Sequence, residues 1–285
     1  MISPELFGYL IPSVVLIPLL AAALCLVVSR RPRVQNIITI VTLTGVLVIA
    51  GILLVLTDQH GVHTVQVGGW DAPVGITLVA DRLSALMLCV SAIVLLTVII
   101  YAVGQGVRDG DGDQPTSIFL PTYLALAAGL NAAFIAGDLF NLFVGFEMLL
   151  AASYVLLTLG ASQERVRAGV SYTVVSMVSS MVFLLGIALT YSAAGTLNLA
   201  QLSVRMAEVP EGLRNKIFAV FLVAFGIKAA VFPLSTWLPD SYPTAPAPVT
   251  AVFAGLLTKV GVYAIIRFHT LVFPGGSMDG VLLVA

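Results

Sequence analysis

Eight apolar segments, each about 20 residues long, constrain the fold of this chain more than any other feature. A membrane core about 30 Å thick is crossed by about 20 residues in helical conformation. The segments cover residues 7–29, 36–56, 82–103, 118–136, 139–159, 168–191, 217–238 and 246–267. Only 9% of the residues are charged, and the mean hydropathy is +1.08. The sequence therefore predicts an all-α, polytopic bundle of transmembrane helices.

Composition also excludes several classes of function. The net charge is -1 and no basic or acidic tract exists, so no nucleic-acid partner is expected. Cys25 and Cys89 both lie inside apolar segments, which argues against a disulfide framework or a zinc site. No nucleotide-binding loop, nucleophile motif or haem motif is present. We therefore expect no cofactor and no metal site, and movement of ions rather than enzymatic chemistry.

The two ends of the chain lead to different expectations. The N-terminal segment lacks the basic region of a signal peptide, so it predicts a retained first helix. A further apolar stretch begins near Val281 and stops at Ala285. Because a membrane span that stops halfway leaves carbonyl groups unpaired in hydrocarbon, we expect the sequence to be a fragment of a longer protein.

The loops predict how neighbouring segments are connected. Residues 58–81 mix glycine, proline and alternating apolar residues, which predicts an extramembrane hairpin. Residues 104–117, rich in glycine and aspartate, predict an exposed turn. Only Gly137 and Asp138 join the fourth and fifth segments, so these helices should form a tight antiparallel pair with Asp138 capping the second. Arginine clusters after the first segment and before the sixth favour an external N-terminus.

Three ionisable residues lie near the middle of apolar segments, namely Glu147, Lys228 and Lys259. Each charge costs roughly 2.5 to 3.5 kcal/mol at the centre of a membrane, so the three should be paired, hydrated or partly neutralised. Burial disfavours the charged form of every one of them, whereas a contact between glutamate and lysine favours both charged forms. A site built from these residues would change its protonation state easily, as a proton relay requires.

Prolines near the lysines predict interrupted helices. Pro233 has no N–H to donate to residue 229, so it should weaken the seventh helix one turn beyond Lys228. Further prolines, including Pro248, should disturb the connection into the eighth segment ahead of Lys259. Irregular backbone at membrane depth is tolerated only beside protein or water, and transporters use broken helices that carry ionisable residues.

Each candidate also has a structural interpretation. A pair of Glu147 and Lys228 could simply clasp two helices together. Thr173, Ser176 and Ser180 form a stripe on the sixth segment that could line water, although close helix packing explains it better. Tyr263 lies one turn from Lys259 and is either a secondary member of the site or an apolar filler. Some further residues are interpreted as caps, interfacial anchors, secondary site members or solvated side chains: Asp81, Arg82, Asp138, His60, His63 and His269.

Two motifs resemble a known family. Residues 225–267 read FGIKAAVFPLSTWLPDSYPTAPAPVTAVFAGLLTKVGVYAIIR, and residues 141–157 read NLFVGFEMLLAASYVLL. They are similar to the lysine and glutamate helices of the antiporter-like membrane subunits shared by respiratory complex I, membrane-bound hydrogenases and the multi-subunit cation/proton (Mrp) antiporters. The motifs cover about 60 residues, and the spacing of the apolar segments agrees with the family along the whole chain.

The resemblance implies a division of the chain and a role for each buried charge. Residues 1–117 would be an N-terminal three-helix membrane region with an external hairpin loop, and residues 118–267 the first of two inverted five-helix repeats, with a broken helix. Residues 268–285 would begin a truncated next helix, so the second repeat would be missing. By position in the motifs, Glu147 and Lys228 would form a proton-switching pair, and Lys259 would pass protons onward.

One departure distinguishes branches of the family. Complex I relatives usually carry a histidine in a W-L-P-x-A-H stretch, whereas residues 237–242 read WLPDSY here. This version is more similar to the D-type subunits of Mrp antiporters, and it puts in doubt a relay copied from complex I in detail. The resemblance implies a multi-pass subunit of a bacterial inner-membrane complex that exchanges Na⁺ or another monovalent cation for protons. Its partners would be other subunits, membrane lipid, protons and monovalent cations.

Two alternatives remain open at this point. The first is a proton-translocating subunit of a complex I-like NADH:quinone oxidoreductase or a membrane-bound hydrogenase. The second is a membrane scaffold whose buried charges only hold helices together.

Overall fold

The computed structural model describes residues 4–106, 118–160 and 162–273. Six helices within these ranges are long and apolar enough to cross a membrane, at Phe7–Val27, Pro32–His60, Arg82–Gly104, Leu139–Thr158, Gln163–Ala194 and Ala247–Val272. Two further apolar segments of the sequence form a shorter helix and a helix that carries several charges. The predicted polytopic helical bundle is confirmed.

Within the described residues, the bundle contains helices α1 to α11 and one pair of strands. The helices are α1 (Pro4–Val27), α2 (Pro32–His60), α3 (Arg82–Gly104), α4 (Phe119–Phe134), α5 (Leu139–Thr158), α6 (Gln163–Ala194), α7 (Leu199–Arg205), α8 (Glu211–Ala229), α9 (Leu238–Ser241), α10 (Ala247–Val252) and α11 (Thr258–Val272). The strands are β1 (His63–Gln66) and β2 (Thr77–Ala80). Most of the predicted polar turn at 104–117, and the apolar stretch that begins near Val281, lie outside the described residues.

The predicted hairpin between α2 and α3 is confirmed. Strands β1 and β2 pair antiparallel, with His63 opposite Ala80. The turn between α4 and α5 docks on β2, because the Gly137 N–H donates to the Thr77 carbonyl at 2.9 Å. Asp138 caps α5 as predicted, and its carboxylate accepts a hydrogen bond from the Asn141 N–H at 2.7 Å. The hairpin and the tight turn therefore fix the same end of the bundle.

Helix α4 lies at the centre of the bundle, where it packs against α1, α3 and α5. The approach of α5 is close because Gly145 has no side chain. A methyl group at Gly145 would lie 2.9 Å from the backbone nitrogen of Ala133. Small residues of this kind allow the backbones of membrane helices to approach closely. Contact of α5 with both α4 and α6 holds Glu147 inside the bundle.

The seventh segment, predicted over 217–238 with a weakened helix near Pro233, is interrupted earlier than predicted. Helix α8 ends at Ala229, and Ala230 takes a left-handed conformation with φ 54°. The chain then runs through turns to the short helix α9. Pro233 belongs to this non-helical segment, so the interruption begins two residues after Lys228 rather than one turn beyond it. Proline limits continuation of a helix, but Ala230 shows that the backbone turns before it is reached.

Pro248 also has a different position from the predicted one. It lies in the first turn of α10, where the missing N–H of proline leaves no hydrogen bond unmade, so it begins a helix instead of breaking one. The irregularity near Lys259 is a π-helical turn, Phe253–Leu257, which joins α10 to α11 within one continuous span. The short helix α7, which packs against α11, has no counterpart in the sequence prediction.

Candidate functional site

Glu147 and Lys228, on α5 and α8, come together inside the bundle. The Lys228 Nζ lies 4.0 Å from Oε1 of Glu147, and the two side chains are 10% and 36% exposed, with Lys228 the more buried. Glu147 is near the middle of the 20 residues of α5. The two helices therefore place opposite charges side by side, as charges in a membrane require.

Ser180 of α6 lies between these charges. Its hydroxyl donates a hydrogen bond to Oε1 of Glu147 and accepts one from Nζ of Lys228 at 3.0 Å. Ser180 is buried and, like Glu147, lies near the middle of its helix. Three helices thus contribute one polar group each to a continuous contact that runs from ammonium to hydroxyl to carboxylate.

Lys228 reaches this contact from the last turn of α8. The negative end of the helix dipole favours a cation at that position. The indole N–H of Trp237, beyond the break, donates to the carbonyl of Ile227 at 3.0 Å and satisfies one of the last carbonyls of the helix. Because Lys228 contacts the middle of α6, α8 ends at the level of the middle of its neighbours. The non-helical backbone after it therefore starts at membrane depth, and its residues range from the buried Trp237 to the exposed Phe232.

A cluster of aromatic rings lies beside the ammonium group. Nζ of Lys228 lies 5.4 Å from the centroid of the Phe146 ring, within the range of a cation–π contact. The ring of Phe146 is stacked near Phe225 of α8, and Phe183 of α6 contacts both rings. Apolar surroundings strengthen the electrostatic contacts among Lys228, Ser180 and Glu147.

A small cavity adjoins Lys228. Its volume is ≈ 30 Å³, which is room for one or two water molecules. The lining consists of Phe146, Leu149, Leu150, Tyr172, Ser176, Lys228, Trp237 and Leu257. The hydroxyls of Tyr172 and Ser153 share a hydrogen bond of 2.7 Å. The predicted hydroxyl stripe on α6 therefore has two uses here, since Ser180 contacts the charges and Ser176 lines the cavity.

Lys259 is not joined to this pair by any described contact. It is exposed on the surface of the described chain, beside the π-helical turn. Its ammonium donates to the Ala254 carbonyl at 2.6 Å and to the Thr258 hydroxyl at 3.2 Å. The structure thus brings two of the three predicted charges together and leaves the third on another face of the bundle.

Tyr263 is a polar connector, not an apolar filler. Its hydroxyl donates to the Phe134 carbonyl at the end of α4, at 2.7 Å, and accepts a hydrogen bond from Arg267 at 2.8 Å. Arg267 in turn pairs with Asp81, the N-cap of α3. This ion pair was not predicted from the sequence, because both residues lie close to the ends of apolar segments and nothing in the spacing of the segments connects them.

Three groups at the hairpin end of the bundle that lie outside the membrane-spanning helices have shifted pKa values. Burial raises the pKa of Asp138, although hydrogen bonds from nearby backbone N–H groups oppose the shift. Burial also acts to raise the pKa of Asp81. The hydrogen bonds and positive charge of Arg267, together with hydrogen bonds from Ser84, outweigh burial, so the pKa of Asp81 is lowered. Burial and the nearby His60 lower the pKa of His63, whose ring stacks on Phe7 with centroids 3.6 Å apart. His63 is therefore packed, contrary to the expectation of a solvated side chain.

No described group of three or more histidine, cysteine, aspartate or glutamate side chains is arranged to hold a metal ion. The contact of Lys228, Ser180 and Glu147 consists of an ammonium, a hydroxyl and a carboxylate. This set of groups can bind, release and pass on protons.

The chain matches the family model described as NADH:quinone oxidoreductase/Mrp antiporter, TM, over residues 136–284, just over half of its length. It is 38% identical, over 275 residues, to the D-type subunit of the Na(+)/H(+) antiporter of Alkalihalophilus pseudofirmus. The match covers 95% of this chain and 55% of that protein. The chain therefore spans about half the length of this relative.

Two solved structures have the same fold. A chain of the Mrp complex from Dietzia sp. DQ12-45-1b matches with a TM-score of 0.85 and 35% identity, over 92% of this chain and 48% of that one. A chain of the membrane-bound sulfane sulfur reductase, an archaeal respiratory membrane complex, also matches with a TM-score of 0.85. Its identity is 27%, over 95% of this chain and 55% of that one. The fold alone therefore does not separate an antiporter from a respiratory complex.

Proposed function

Because the chain belongs to the NADH:quinone oxidoreductase/Mrp antiporter family of transmembrane proteins, we propose that it is part of a D-type subunit of a multi-subunit monovalent cation/proton antiporter. One observation carries the proposal: Lys228, Ser180 and Glu147 lie in contact near the middle of α5 and α6, which supports a role in proton movement. The family match includes all three predicted charges, at positions 147, 228 and 259.

In this proposal the pair of Glu147 and Lys228 is the switch. When the two residues are together, each stabilises the charged form of the other. Burial favours the neutral forms instead, so transfer of a proton from Lys228 to Glu147 neutralises both residues and lets them separate. The cavity beside Lys228 provides space for water on one side of the pair. The membrane potential can drive these steps, because one charge crossing 100 mV is worth about 2.3 kcal/mol.

Lys259 is the next carrier in this scheme. It is exposed on the described chain, so its proton partner has to come from water or from another part of the complex. The π-helical turn beside it supports a functional role, since single π-helical turns occur frequently at functional sites. In this proposal, residues 118–267 form the first five-helix repeat, after an N-terminal region of three helices.

The complete transport activity requires more than this chain. The chain covers about half of its antiporter relative, and the name of that relative describes one subunit among several. We therefore propose that the partners are the other subunits of an Mrp-type complex in a bacterial inner membrane. Membrane lipid would surround the apolar outer faces of the helices, and protons and a monovalent cation would be the transported ions.

A second candidate is a proton-translocating subunit of a redox complex. The match to the respiratory sulfane sulfur reductase favours it, because the fold similarity equals that of the Mrp complex. The higher sequence identity to the Mrp chain, 35% against 27%, favours the antiporter. Purification of the native complex separates the two, since flavin or iron–sulfur subunits in stoichiometric amounts would establish the redox complex.

Glu147→Gln tests the proposal directly. Glutamine has nearly the same shape and can still accept a hydrogen bond from Ser180, but it cannot carry a proton. We expect the complete complex with this variant to assemble and to lose cation/proton exchange in inverted membrane vesicles. The matched control is Glu208→Gln, which removes an exposed carboxylate after α7 and should leave exchange unchanged. Exchange at the native rate by the Glu147 variant would refute the proposal.

A further inference from the structure

The distance between Lys228 and Glu147 is too long for direct proton transfer. Transfer requires a hydrogen bond with heavy atoms about 2.6–3.2 Å apart, or one intervening group. Nζ of Lys228 and Oε1 of Glu147 are 4.0 Å apart. The hydroxyl of Ser180 is within hydrogen-bond distance of both atoms. We infer that Ser180 is a proton-transfer residue, which carries the proton between Lys228 and Glu147; this inference rests on the proposed function.

The donors and acceptors of this contact have only one consistent arrangement. An ammonium group can only donate hydrogen bonds, and an ionised carboxylate can only accept them. A hydroxyl does both, with one O–H and two lone pairs. The Ser180 oxygen therefore accepts from Lys228 while its own hydrogen points to Glu147. A neutral apolar side chain at this position would leave the ammonium without this acceptor and the carboxylate without this donor.

Each bond that breaks in the proton transfer is matched by a bond that forms. An N–H bond of Lys228 breaks as a new O–H bond forms on the Ser180 oxygen. The former O–H bond of Ser180 breaks at the same time, and its proton forms an O–H bond on Oε1 of Glu147. The products are a neutral amine, an unchanged hydroxyl and a neutral carboxylic acid. The reverse step restores the charged pair.

The spacing of the helices around Ser180 does not depend on its hydroxyl. The neighbouring Ser179 donates to the Ala224 carbonyl of α8 at 2.8 Å, which is one of several contacts between α6 and α8. Phe183 of α6 contacts Phe221 and Phe225 of α8, with ring centroids 5.7 and 4.9 Å away. Removal of the Ser180 hydroxyl should therefore interrupt the contact while the two charges stay too far apart to replace it.

Two adjacent serines provide a matched test. Ser180→Ala removes the hydroxyl that joins the charges, and Ser179→Ala removes one that binds only a backbone carbonyl. In the complete complex, we expect Ser180→Ala to slow cation/proton exchange by about 100-fold, which is the lower range for the loss of a positioned proton-transfer group. Ser180→Thr retains a hydroxyl and should restore most of the rate. Ser179→Ala should exchange at close to the native rate, even if it lowers the thermal stability.

The outcomes separate this inference from the proposed function. If Ser180→Ala exchanges at the native rate while Glu147→Gln does not, the role of Ser180 is refuted and the proposed function stands. If both variants exchange at the native rate, both are refuted. Should Ser180→Ala fail to assemble, Ser180→Cys provides the test, because a thiol of similar size is a weak donor and acceptor. Native exchange by the assembled cysteine variant would also overturn the inference.

A structural role of Ser180 predicts a different result. A serine that only held α6 in place would change the amount of assembled complex, and exchange per assembled complex would stay native in Ser180→Ala. A proton-transfer role predicts a loss of exchange per assembled complex in Ser180→Ala that Ser180→Thr largely reverses. Equal rates per assembled complex in Ser180→Ala, Ser180→Thr and the native protein would contradict the inference.

Discussion

Arg267 of α11 donates hydrogen bonds to both carboxylate oxygens of Asp81, the N-cap of α3, at 2.5 and 2.7 Å. The two side chains are only 14% and 20% exposed. Arg267 also binds the hydroxyl of Tyr263, which reaches the end of α4. This arrangement holds the helix that carries Lys259 against the hairpin end of the bundle, and it is the best-formed ion pair among the described residues.

The ion pair of Asp81 and Arg267 should contribute strongly to stability. Loss of one partner leaves a charge that is largely buried without compensation, which typically costs about 3–5 kcal/mol. We expect Asp81→Asn to lower the thermal unfolding temperature of the detergent-solubilised protein markedly. The matched control is Arg82→Gln, which breaks an exposed pair with Asp58 and should cost less than about 1 kcal/mol. Similar effects of both variants would contradict this interpretation of the geometry.

Asp138 should give the protein a pH-dependent stability. Its pKa in the folded protein is raised above the unfolded-state value, chiefly by burial. The folded protein is therefore most stable while the carboxyl is protonated, and it loses stability as the pH rises from the unfolded-state pKa to the folded-state pKa. Asparagine caps a helix as well as aspartate does and carries no charge. Asp138→Asn should therefore be more stable than the native protein at neutral pH and equally stable in acid.

Thermal unfolding measured between pH 4 and pH 8 checks this expectation. The control is Asp71→Asn, at an exposed position of the hairpin loop, which should show no such difference. A native protein that is more stable than Asp138→Asn at neutral pH would show that the charge of the cap matters more than its desolvation.

Gly261 should be required where α11 passes the end of α8. A methyl group at this position would lie 2.5 Å from the nitrogen and 2.8 Å from the Cα of Ala229, the residue after Lys228. Gly261→Ala therefore has to displace backbone, which should cost about 1–3 kcal/mol and move Lys228 away from Ser180. We expect a lower unfolding temperature and lower exchange per assembled complex.

Gly51 in α2 is the matched control, since a methyl group there would have no neighbour within 4 Å. Gly51→Ala should leave exchange unchanged and stabilise the helix by up to about 1 kcal/mol. If Gly261→Ala behaves in the same way as Gly51→Ala, the packing of α11 on α8 is looser than the structure indicates.

Much of the fold follows from sequence patterns that act locally. Apolar length predicted the helices, the glycine and proline pattern predicted the hairpin, and the two-residue join predicted the cap at Asp138. The cost of burying charge in a membrane identified Glu147 and Lys228, and the structure places them next to each other. Each of these predictions depends either on residues close together in the sequence or on the free-energy cost of burying a charge. Both can be read from the sequence alone.

The remaining features depend on contacts between distant parts of the chain. Helix α8 ends at Ala229 because Ala230 turns and Trp237 satisfies a carbonyl from beyond the break, which no local signal before Pro233 indicates. The contact of Ser180 with Glu147 and Lys228 could not be predicted, because a stripe of hydroxyls indicates helix packing as readily as a polar contact. The exposed position of Lys259 depends on how α11 is rotated against its neighbours.

Exchange of the two charges separates a relay from a structural clasp. In the double variant Glu147→Lys with Lys228→Glu, the attraction between the two side chains is retained, but donor and acceptor change places. We expect the complex to assemble in native amounts and to exchange cations for protons at less than about a tenth of the native rate, in line with the loss of a positioned proton-transfer group. A scaffold would tolerate the swap, so native transport by the double variant would identify the pair as a clasp.

Lys228→Ala provides the most direct test of the central claim, that the buried pair is part of the transport path. The measurement is cation/proton exchange in inverted vesicles from cells that lack their own antiporter and express the complete complex. Assembly of each complex is checked on a native gel. We predict that the Lys228→Ala complex assembles and that its exchange falls to the background of vesicles without the complex. Exchange at the native rate by the assembled variant would show that Lys228 is a structural charge and would contradict the account.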